Sequence, residues 1–196
     1  MAGFVEDARL KVQDPRATFS IGDATALDFP ARSFDCSVSA LVLNFLPDAH
    51  GAMVEAQRVT SRGGWLGAYV WDYAGQMQMI RHFWTAAAEL YPAAARLDQG
   101  ASPNLFGRDE LHQCFSEAGL DNIAITAIDI DTVFRDFDDY WEPFLGGNGA
   151  APVFVASLSP ESQVRLRDRL KARLPAATDG AIALVARAWA IKGQTR

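Results

Sequence analysis

The sequence predicts an α/β fold in which a β-sheet carries helices on both faces. Three observations lead to this prediction. In the first half of the chain, segments with the apolar spacing of helices alternate with segments rich in strand-forming residues. Near the end, two segments that alternate apolar and polar residues predict a pair of strands in the same sheet. With 49% hydrophobic and 21% charged residues, the 196-residue chain can bury a core of this kind.

The individual elements follow from apolar spacing and from the positions of proline and glycine. Helices are predicted at 2–12, 48–60, 77–91, 108–118 and 159–174, and strands at 17–21, 34–43, 65–71, 123–133 and 181–191. The glycines at 63–64 are predicted to end the second helix. No domain boundary interrupts the chain, so residues 1–196 are predicted to form a single domain, with an excursion at about 132–160 between the last two strands.

Charge and cysteine content argue against several function classes. The net charge is −6 and the pI is near 5.0, which argues against a nucleic-acid partner. The two cysteines form no CxxC pair and no cluster with histidine. We therefore predict no disulfide scaffold, no metal site and a cytoplasmic location. No apolar run approaches the roughly 18 residues of a membrane span, which argues against a membrane partner.

Three predicted strands are followed directly by turn residues that could bind a ligand. In an α/β sheet, ligands bind beyond the carboxyl ends of the strands. These ends carry the tripeptides GDA at 22–24, LNF at 43–45 and WDY at 71–73. The sequence therefore predicts a ligand site at this edge of the sheet.

A set of short motifs follows in a fixed order along the chain. They are GDA at 22–24, LDFP at 27–30, SFD at 33–35, SALVLNF at 39–45, RV at 58–59 before GG at 63–64, and DGAIAL at 179–184. In order and spacing this set resembles the class I S-adenosylmethionine-dependent methyltransferases, and within them the type-11 small-molecule branch. The resemblance implies a Rossmann-like methyltransferase sheet and S-adenosylmethionine as the cofactor.

The resemblance also implies which residues hold the cofactor. Asp23 would accept a hydrogen bond from the adenine amino group, and Ala24 would offer its backbone N–H to the adenine ring. Ser39, Ala40 and Leu41 would lie along the methionine part. An adenine ring needs an acceptor and a donor in one plane within an apolar slot, which fits this set. The alternative for Asp23 is a turn aspartate that bonds its own backbone.

The chain departs from the family pattern at its start. The family opens with a strand, a GxGxG turn and a second strand that ends in an acid for the ribose, and no such residues precede the first helix. We therefore expect a sheet that lacks its first two strands, weak binding of S-adenosylmethionine, and a homodimer through the exposed sheet edge. The alternative to an enzyme is a non-catalytic remnant or interaction module. A nicotinamide-dependent oxidoreductase is disfavoured, because the chain has no GxGxxG motif.

The implied reaction is methyl transfer to a small-molecule acceptor, apolar or aromatic in character. Trp71, Tyr73, Tyr140 and Trp141 are the candidates to contact this acceptor. The alternative is that these aromatic side chains belong to the hydrophobic core.

The chemistry is an in-line displacement at a sulfonium-activated methyl group, so alignment matters most and a base is optional. If the acceptor must lose a proton, Asp72, Tyr73 and His82 are the catalytic candidates. The alternative for His82 is an ordinary histidine on a helix surface. Asn44 either contacts a ligand or only caps the loop that follows it.

Overall fold

The computed structural model describes residues 2–102, 105–147 and 149–196. Its sheet has the strand order β1-β2-β4-β3. The strands are β1 (Phe34–Ala40), β2 (Thr60–Trp71), β3 (Asp121–Phe134) and β4 (Ile182–Gln194). β1 and β2 are parallel, whereas β4 runs antiparallel to both of its neighbours. The carboxyl ends of β1 and β2 therefore lie at the same edge of the sheet.

Seven α-helices surround this sheet in the described part of the chain. They are α1 (Ala2–Lys11), α2 (Ala49–Val59), α3 (Gln78–Leu90), α4 (Arg108–Glu117), α5 (Phe137–Trp141), α6 (Ala150–Ser157) and α7 (Pro160–Arg173). Side-chain caps fix the starts of α2, α5 and α7, and before α5 the Asp136 carboxylate accepts from the Asp139 N–H. Asp48 accepts from the Gly51 N–H before α2, and Ser159 accepts from the Ser162 N–H before α7. None of these helices is long and apolar enough to cross a membrane.

The larger hydrophobic cluster, called here the aromatic core, joins α3, α5, α6 and α7 to the far end of the β3–β4 pair. Its aromatic members are Phe83, Trp84, Phe134, Phe137, Tyr140, Trp141, Phe144 and Phe154. Phe83 is fully buried and stacks on Phe144, with ring centroids 4.5 Å apart. The predicted excursion at 132–160 therefore supplies much of this core.

A second cluster, called here the α2–α4 core, lies on the opposite face of the sheet. Leu66 and Val70 of β2 belong to it, together with Ile191 of β4. Ile182 and Leu184 of β4 belong to the aromatic core instead. Because an odd spacing along a strand reverses the direction of the side chain, the two clusters occupy opposite faces. The predicted sheet with helices on both faces is confirmed.

The strand predicted at 17–21 is wrong. This segment forms no strand, and Ile21 is 63% exposed. A hydrogen bond of 2.6 Å from the Arg9 guanidinium to the Phe19 carbonyl connects this segment to α1. A sequence rich in strand-forming residues becomes a strand only where a neighbouring strand accepts its hydrogen bonds, and the described sheet offers 17–21 none.

Two further boundaries differ from the prediction. The strand predicted at 34–43 ends at Ala40, because Leu41 adopts a left-handed backbone with φ of 57° and turns the chain into a 3₁₀ segment, Leu43–Phe45. The glycines at 63–64 do not end a helix. α2 already ends at Val59, and the glycines lie inside β2, where Gly63 has φ of 72° and donates its N–H to the Thr195 carbonyl.

β1 has one open edge, since no strand of the described chain pairs with its side away from β2. Val38 is 65% exposed there and Phe34 is 37% exposed. An antiparallel pairing of two copies centred on Ser37 would place Phe34 opposite Ala40 and Cys36 opposite Val38 on one face. These four side chains are apolar, so the edge is complementary to itself.

We expect self-association through this edge to be weakened by Val38→Lys. A lysine on an edge strand must lose water when a second strand pairs with it, which opposes strand addition. Sedimentation velocity over a range of concentrations should show a monomer–dimer equilibrium for the parent chain and a shift towards monomer for the variant. Val164→Lys, at a 56% exposed position of α7, is the matched control and should leave the equilibrium unchanged. A parent chain that is monomeric at all concentrations would contradict this expectation.

Candidate active site

A cavity of about 340 Å³, called here the β1 cavity, lies between β1 and α2. Its walls come from β1, the turn after it, α2, β2 and the loop at 24–27. The lining residues are Ala24, Leu27, Ser37, Val38, Ser39, Ala40, Val42, Leu43, Leu46, Ala52, Met53, Ala56, Leu66 and Gly67. The lining is apolar apart from two serine side chains, as expected of a slot that holds a flat organic ring.

Local sequence explains why space remains at this position. Ala52 and Ala56 are four residues apart on α2, so both lie on the same face of the helix, and their short side chains leave a gap below it. Ser37 and Ser39 stand opposite Leu66 and Ala68 of β2, and therefore lie on the sheet face that α2 covers. The Ser37 hydroxyl shares a hydrogen bond of 2.7 Å with that of Thr60. Within the described residues the Ser39 hydroxyl has no partner.

Asp23 forms a local turn beside this cavity. One carboxylate oxygen accepts hydrogen bonds from the Thr25 N–H at 2.8 Å and from the Thr25 hydroxyl at 2.7 Å. These two bonds, the backbone one foremost, hold the pKa of Asp23 below its usual value. Among the described residues the other oxygen has no partner. Asp23 is thus an ionised turn aspartate that keeps one acceptor free, next to Ala24 in the cavity wall.

Of the five residues predicted at the cofactor, the structure brings Ala24, Ser39 and Ala40 into the wall of one cavity. Asp23 adjoins that wall. Leu41 does not line the cavity, and its N–H donates to the Tyr69 carbonyl at 2.9 Å. Its left-handed backbone closes the end of β1, so its contribution is to direct the chain past the cavity.

A second cavity of about 550 Å³, called here the loop cavity, adjoins the first. It lies between the segment after β1 and the start of α4. Its lining residues are Asn44, Phe45, Leu46, Pro47, Asp48, Ala49, His50, Ser102, Leu105, Phe106 and Glu110. Leu46 lines both cavities, so a ligand in one would lie next to a ligand in the other.

Asn44 holds the two sides of the loop cavity together. Its amide oxygen accepts from the Phe106 N–H at 2.9 Å, and its amide nitrogen donates to the Trp71 carbonyl at 3.4 Å. The side chain therefore links the end of β1 to the end of β2 and to the segment before α4. Asn44 therefore has a structural role, and because it also lines the loop cavity, its contact with a ligand stays a prediction.

The WDY tripeptide lies near the loop cavity but does not line it. Both carboxylate oxygens of Asp72 accept backbone N–H groups, from Gly75 at 3.1 Å and from Gln76 at 2.9 Å, and so close the turn after β2. The Tyr73 ring contacts Phe45 edge to face, with centroids 6.3 Å apart. Burial raises the pKa of Tyr73, which keeps its hydroxyl protonated. Trp71 is partly buried, and its carbonyl accepts from Asn44.

Three of the predicted residues lie away from both cavities, in or beside the aromatic core. Tyr140 is fully buried, and its hydroxyl donates to the Met79 carbonyl at 2.8 Å. Trp141 is 5% exposed. His82 lies on α3, where burial and then the charge of Arg173 lower its pKa. The prediction that Tyr140 and Trp141 cover the acceptor is therefore corrected to the alternative, that both are core residues.

Sequence reasoning did not identify several residues that shape the cavities. Leu46 and Phe106 carry no motif, and Phe106 reaches the site only through a contact with Asn44, 62 positions earlier. Met53 and Ala56 lie on the helix predicted at 48–60, but they were not predicted as cavity walls. Their apolar spacing is the signal that could have placed them there.

Comparison with known proteins shows which proteins this chain resembles. Residues 1–68 match the family model described as a methyltransferase domain. No curated protein sequence matches the chain. Among solved structures, a protein from Bacillus halodurans C-125 that is assigned as a methyltransferase aligns with 99% of this chain and 79% of its own, at 13% identity and a TM-score of 0.59. The YcgJ protein of Bacillus subtilis aligns with 100% of this chain and 76% of its own, at 17% identity and a TM-score of 0.52.

A third structure contains the cofactor itself. It is phosphoethanolamine N-methyltransferase 2 of Haemonchus contortus in complex with S-adenosyl-L-methionine, which aligns with 97% of this chain and 40% of its own, at 14% identity and a TM-score of 0.51. The family match over residues 1–68 and the shared fold agree with the resemblance seen in the sequence. The chain therefore has a methyltransferase-like fold, and S-adenosyl-L-methionine is the ligand bound in the third of these structures.

Proposed function

We propose that this chain transfers a methyl group from S-adenosylmethionine, held in the β1 cavity, to a small apolar or aromatic acceptor held in the loop cavity. The observation that carries this proposal is the shared wall at Leu46, which makes the two cavities neighbours at the carboxyl end of β1. Two ligands must lie side by side for a displacement between them to occur, and proximity of this kind supplies much of the rate.

The residues around the β1 cavity suit the cofactor. The free oxygen of Asp23 would accept from the adenine amino group, and the Ala24 N–H would donate to the ring. Ser39 and Ala40 would lie along the methionine part, with the unpartnered Ser39 hydroxyl as a donor. When bound, the cofactor supplies an electrophilic methyl group on a sulfonium.

Affinity for the cofactor should be low. The described lining of the β1 cavity contains two hydroxyl side chains and no carboxylate that could bind the ribose hydroxyls. We therefore expect a dissociation constant above about 100 µM for S-adenosylmethionine, that is, a binding free energy weaker than about −5.5 kcal/mol.

The loop cavity suits a small acceptor with an apolar or aromatic body. Phe45, Leu105 and Phe106 form apolar walls, and Asp48 and Glu110 add negative charge at its margin. A strongly anionic acceptor would be repelled by these carboxylates and by the net charge of −6. We therefore propose an uncharged or weakly charged acceptor.

We propose that alignment, not a dedicated base, carries the reaction. Asp72 uses both carboxylate oxygens to close a turn, burial raises the pKa of Tyr73, and His82 lies on a helix of the aromatic core. None of the three presents a free basic atom to either cavity. The chain's own residues would bind the two ligands, exclude water and hold the nucleophile in line with the methyl group.

We place this activity in the cytoplasm. Cys36 is exposed and Cys114 is buried, and both are free thiols. An exposed free thiol persists in a reducing compartment, which supports this location.

Asp23→Ala should weaken cofactor binding by about 1–3 kcal/mol, because the adenine amino group would lose a hydrogen bond to a charged acceptor. Titration of S-adenosylhomocysteine followed by NMR measures constants into the millimolar range and can detect this loss. Asp14→Ala is the matched control, since Asp14 is also an aspartate that accepts from a backbone N–H two residues on, in the loop after α1. Equal affinity in the parent and Asp23→Ala would remove Asp23 from the site.

The proposal as a whole is tested by methyl transfer from labelled S-adenosylmethionine to a panel of small aromatic, apolar, anionic and nucleic-acid acceptors. We expect turnover with uncharged aromatic or apolar members. Efficient methylation of RNA or DNA would contradict the acceptor class. If S-adenosylhomocysteine does not bind and no acceptor is methylated, the non-catalytic alternative replaces the enzyme.

A further inference from the structure

A third cavity of about 370 Å³ lies at the amino ends of the parallel strands β1 and β2, at the opposite end of these strands from the proposed active site. It is lined by Ala31, Arg32, Val54, Gln57, Arg58, Thr60, Arg62, Thr195 and Arg196, and is called here the arginine cavity. These residues precede β1, surround the start of β2 and follow β4. Since β1 is seven residues long, this cavity is about 20 Å from the strand end where the cofactor is proposed to bind.

Two of the four arginines have their charge matched by an acid. Arg58 pairs with Glu55 at 2.8 Å and also donates to the carbonyls of Leu27 and Phe29. Arg196 pairs with Asp121 at 2.8 Å. The charge of each of these two guanidinium groups is therefore matched by a carboxylate of the protein.

The other two arginines are not matched. Within the described residues, the side chains of Arg32 and Arg62 have neither a hydrogen bond nor an ion pair. Both are exposed at the cavity. Two unpaired positive charges thus share one concave surface of a chain whose net charge is −6. Like charges repel when they are brought together, so such a pair is stabilised by a bound anion.

The backbone of Arg32 has an unusual conformation that neighbouring contacts hold in place. Arg32 has φ of 60°, a left-handed conformation that side-chain-bearing residues adopt rarely. Its N–H donates to the Arg58 carbonyl at 2.9 Å, and its carbonyl accepts from the Ser61 hydroxyl at 3.2 Å. Rare backbone conformations that neighbouring contacts enforce concentrate at ligand sites. These contacts fix the backbone of Arg32 next to the start of β2.

We propose that the arginine cavity binds the dianion of a small phosphomonoester or of inorganic phosphate, through Arg32 and Arg62. A planar guanidinium donates two parallel hydrogen bonds to phosphate or carboxylate oxygens. The two unpaired charges match a phosphate group, which carries between one and two negative charges at neutral pH, better than a single carboxylate. The proposal does not depend on methyl transfer, because neither arginine lines the β1 cavity or the loop cavity.

Isothermal titration with sodium phosphate at constant ionic strength tests this proposal, with sodium acetate as the monoanion. We expect phosphate to bind at least about tenfold more tightly than acetate, and more tightly at pH 8 than at pH 5.5, where the dianion is scarce. The double variant Arg32→Ala/Arg62→Ala should lose at least about tenfold in phosphate affinity, since two charge-assisted contacts are removed.

The matched control is Arg96→Ala/Arg165→Ala, which removes the same charge from exposed positions outside the cavity. This control should bind phosphate like the parent chain. Circular dichroism establishes that both double variants are folded.

Equal phosphate affinity in the parent and Arg32→Ala/Arg62→Ala, or an equal loss of phosphate affinity in the two double variants, would overturn the site. Acetate binding as tightly as phosphate would overturn the assignment to a dianion. Glycerol phosphate distinguishes a phosphomonoester from inorganic phosphate as the ligand. If it binds, the site accepts phosphomonoesters; if it does not bind, the proposal of a phosphomonoester ligand is overturned.

Discussion

Phe83→Ala is expected to lower the free energy of unfolding by about 3–5 kcal/mol, the usual cost of emptying a buried aromatic position. Phe83 is fully buried on α3 and contacts three other rings: it stacks on Phe144 and meets Trp84 and Phe154 edge to face. Alanine leaves a void among rings that α3 and the excursion hold in place. Because domains are stable by only about 5–15 kcal/mol, this loss is a large part of the total.

Urea denaturation followed by tryptophan fluorescence measures this loss. Phe83→Leu keeps most of the volume and should cost less than about 1.5 kcal/mol, which keeps the comparison measurable if the alanine variant does not fold. Phe4→Ala is the control, because Phe4 is 78% exposed and should change stability by less than about 0.5 kcal/mol. A Phe83→Ala variant as stable as the parent would contradict the packing of the aromatic core.

Leu46→Trp is expected to reduce methyl transfer by at least about 100-fold. Leu46 lies in the wall that the β1 cavity and the loop cavity share, so an indole there would enter the space between the two ligands. Displacement requires near contact between nucleophile and methyl group, and a misplacement of about 1 Å can cost a factor of that size. Binding of S-adenosylhomocysteine alone should fall much less, since most of the β1 cavity is unchanged.

The readout is the single-turnover rate, with cofactor affinity measured in parallel. Val164→Trp adds the same side chain at a 56% exposed position of α7 and should leave both quantities unchanged. A Leu46→Trp variant that retains the parent rate would show that the methyl group does not pass between these two cavities.

Local patterns predicted most of the fold. The helices predicted at 48–60, 108–118 and 159–174 and the strand predicted at 123–133 all appear in the structure near their predicted bounds, as α2, α4, α7 and β3. The failure at 17–21 has a different origin. Strand propensity is a local property, whereas a strand requires a partner, and the described sheet provides none at that position. β1 ends earlier than predicted because Leu41 has a left-handed backbone angle, and a leucine in the sequence does not predict such an angle.

The candidate site was predictable only in part. Two short motifs contain Asp23, Ala24, Ser39 and Ala40, and the structure places these four residues at or beside one cavity. The loop cavity depends on contacts between distant segments, such as that of Asn44 with Phe106, which no local pattern encodes. For aromatic residues the sequence gives no means to separate core from site. Tyr140 and Trp141 are buried in the aromatic core because the excursion folds onto α3 and α7.

Amide NMR spectra recorded during a titration with S-adenosylhomocysteine test the central claim most directly. If the cofactor occupies the β1 cavity, the N–H signals of Ala24, Ser39 and Ala40 should shift with one common saturation curve. Those of Ala86 and Ala87, which are fully buried in the aromatic core, should not move. Shifts confined to residues outside the β1 cavity, or no shifts at millimolar ligand, would contradict the proposed site.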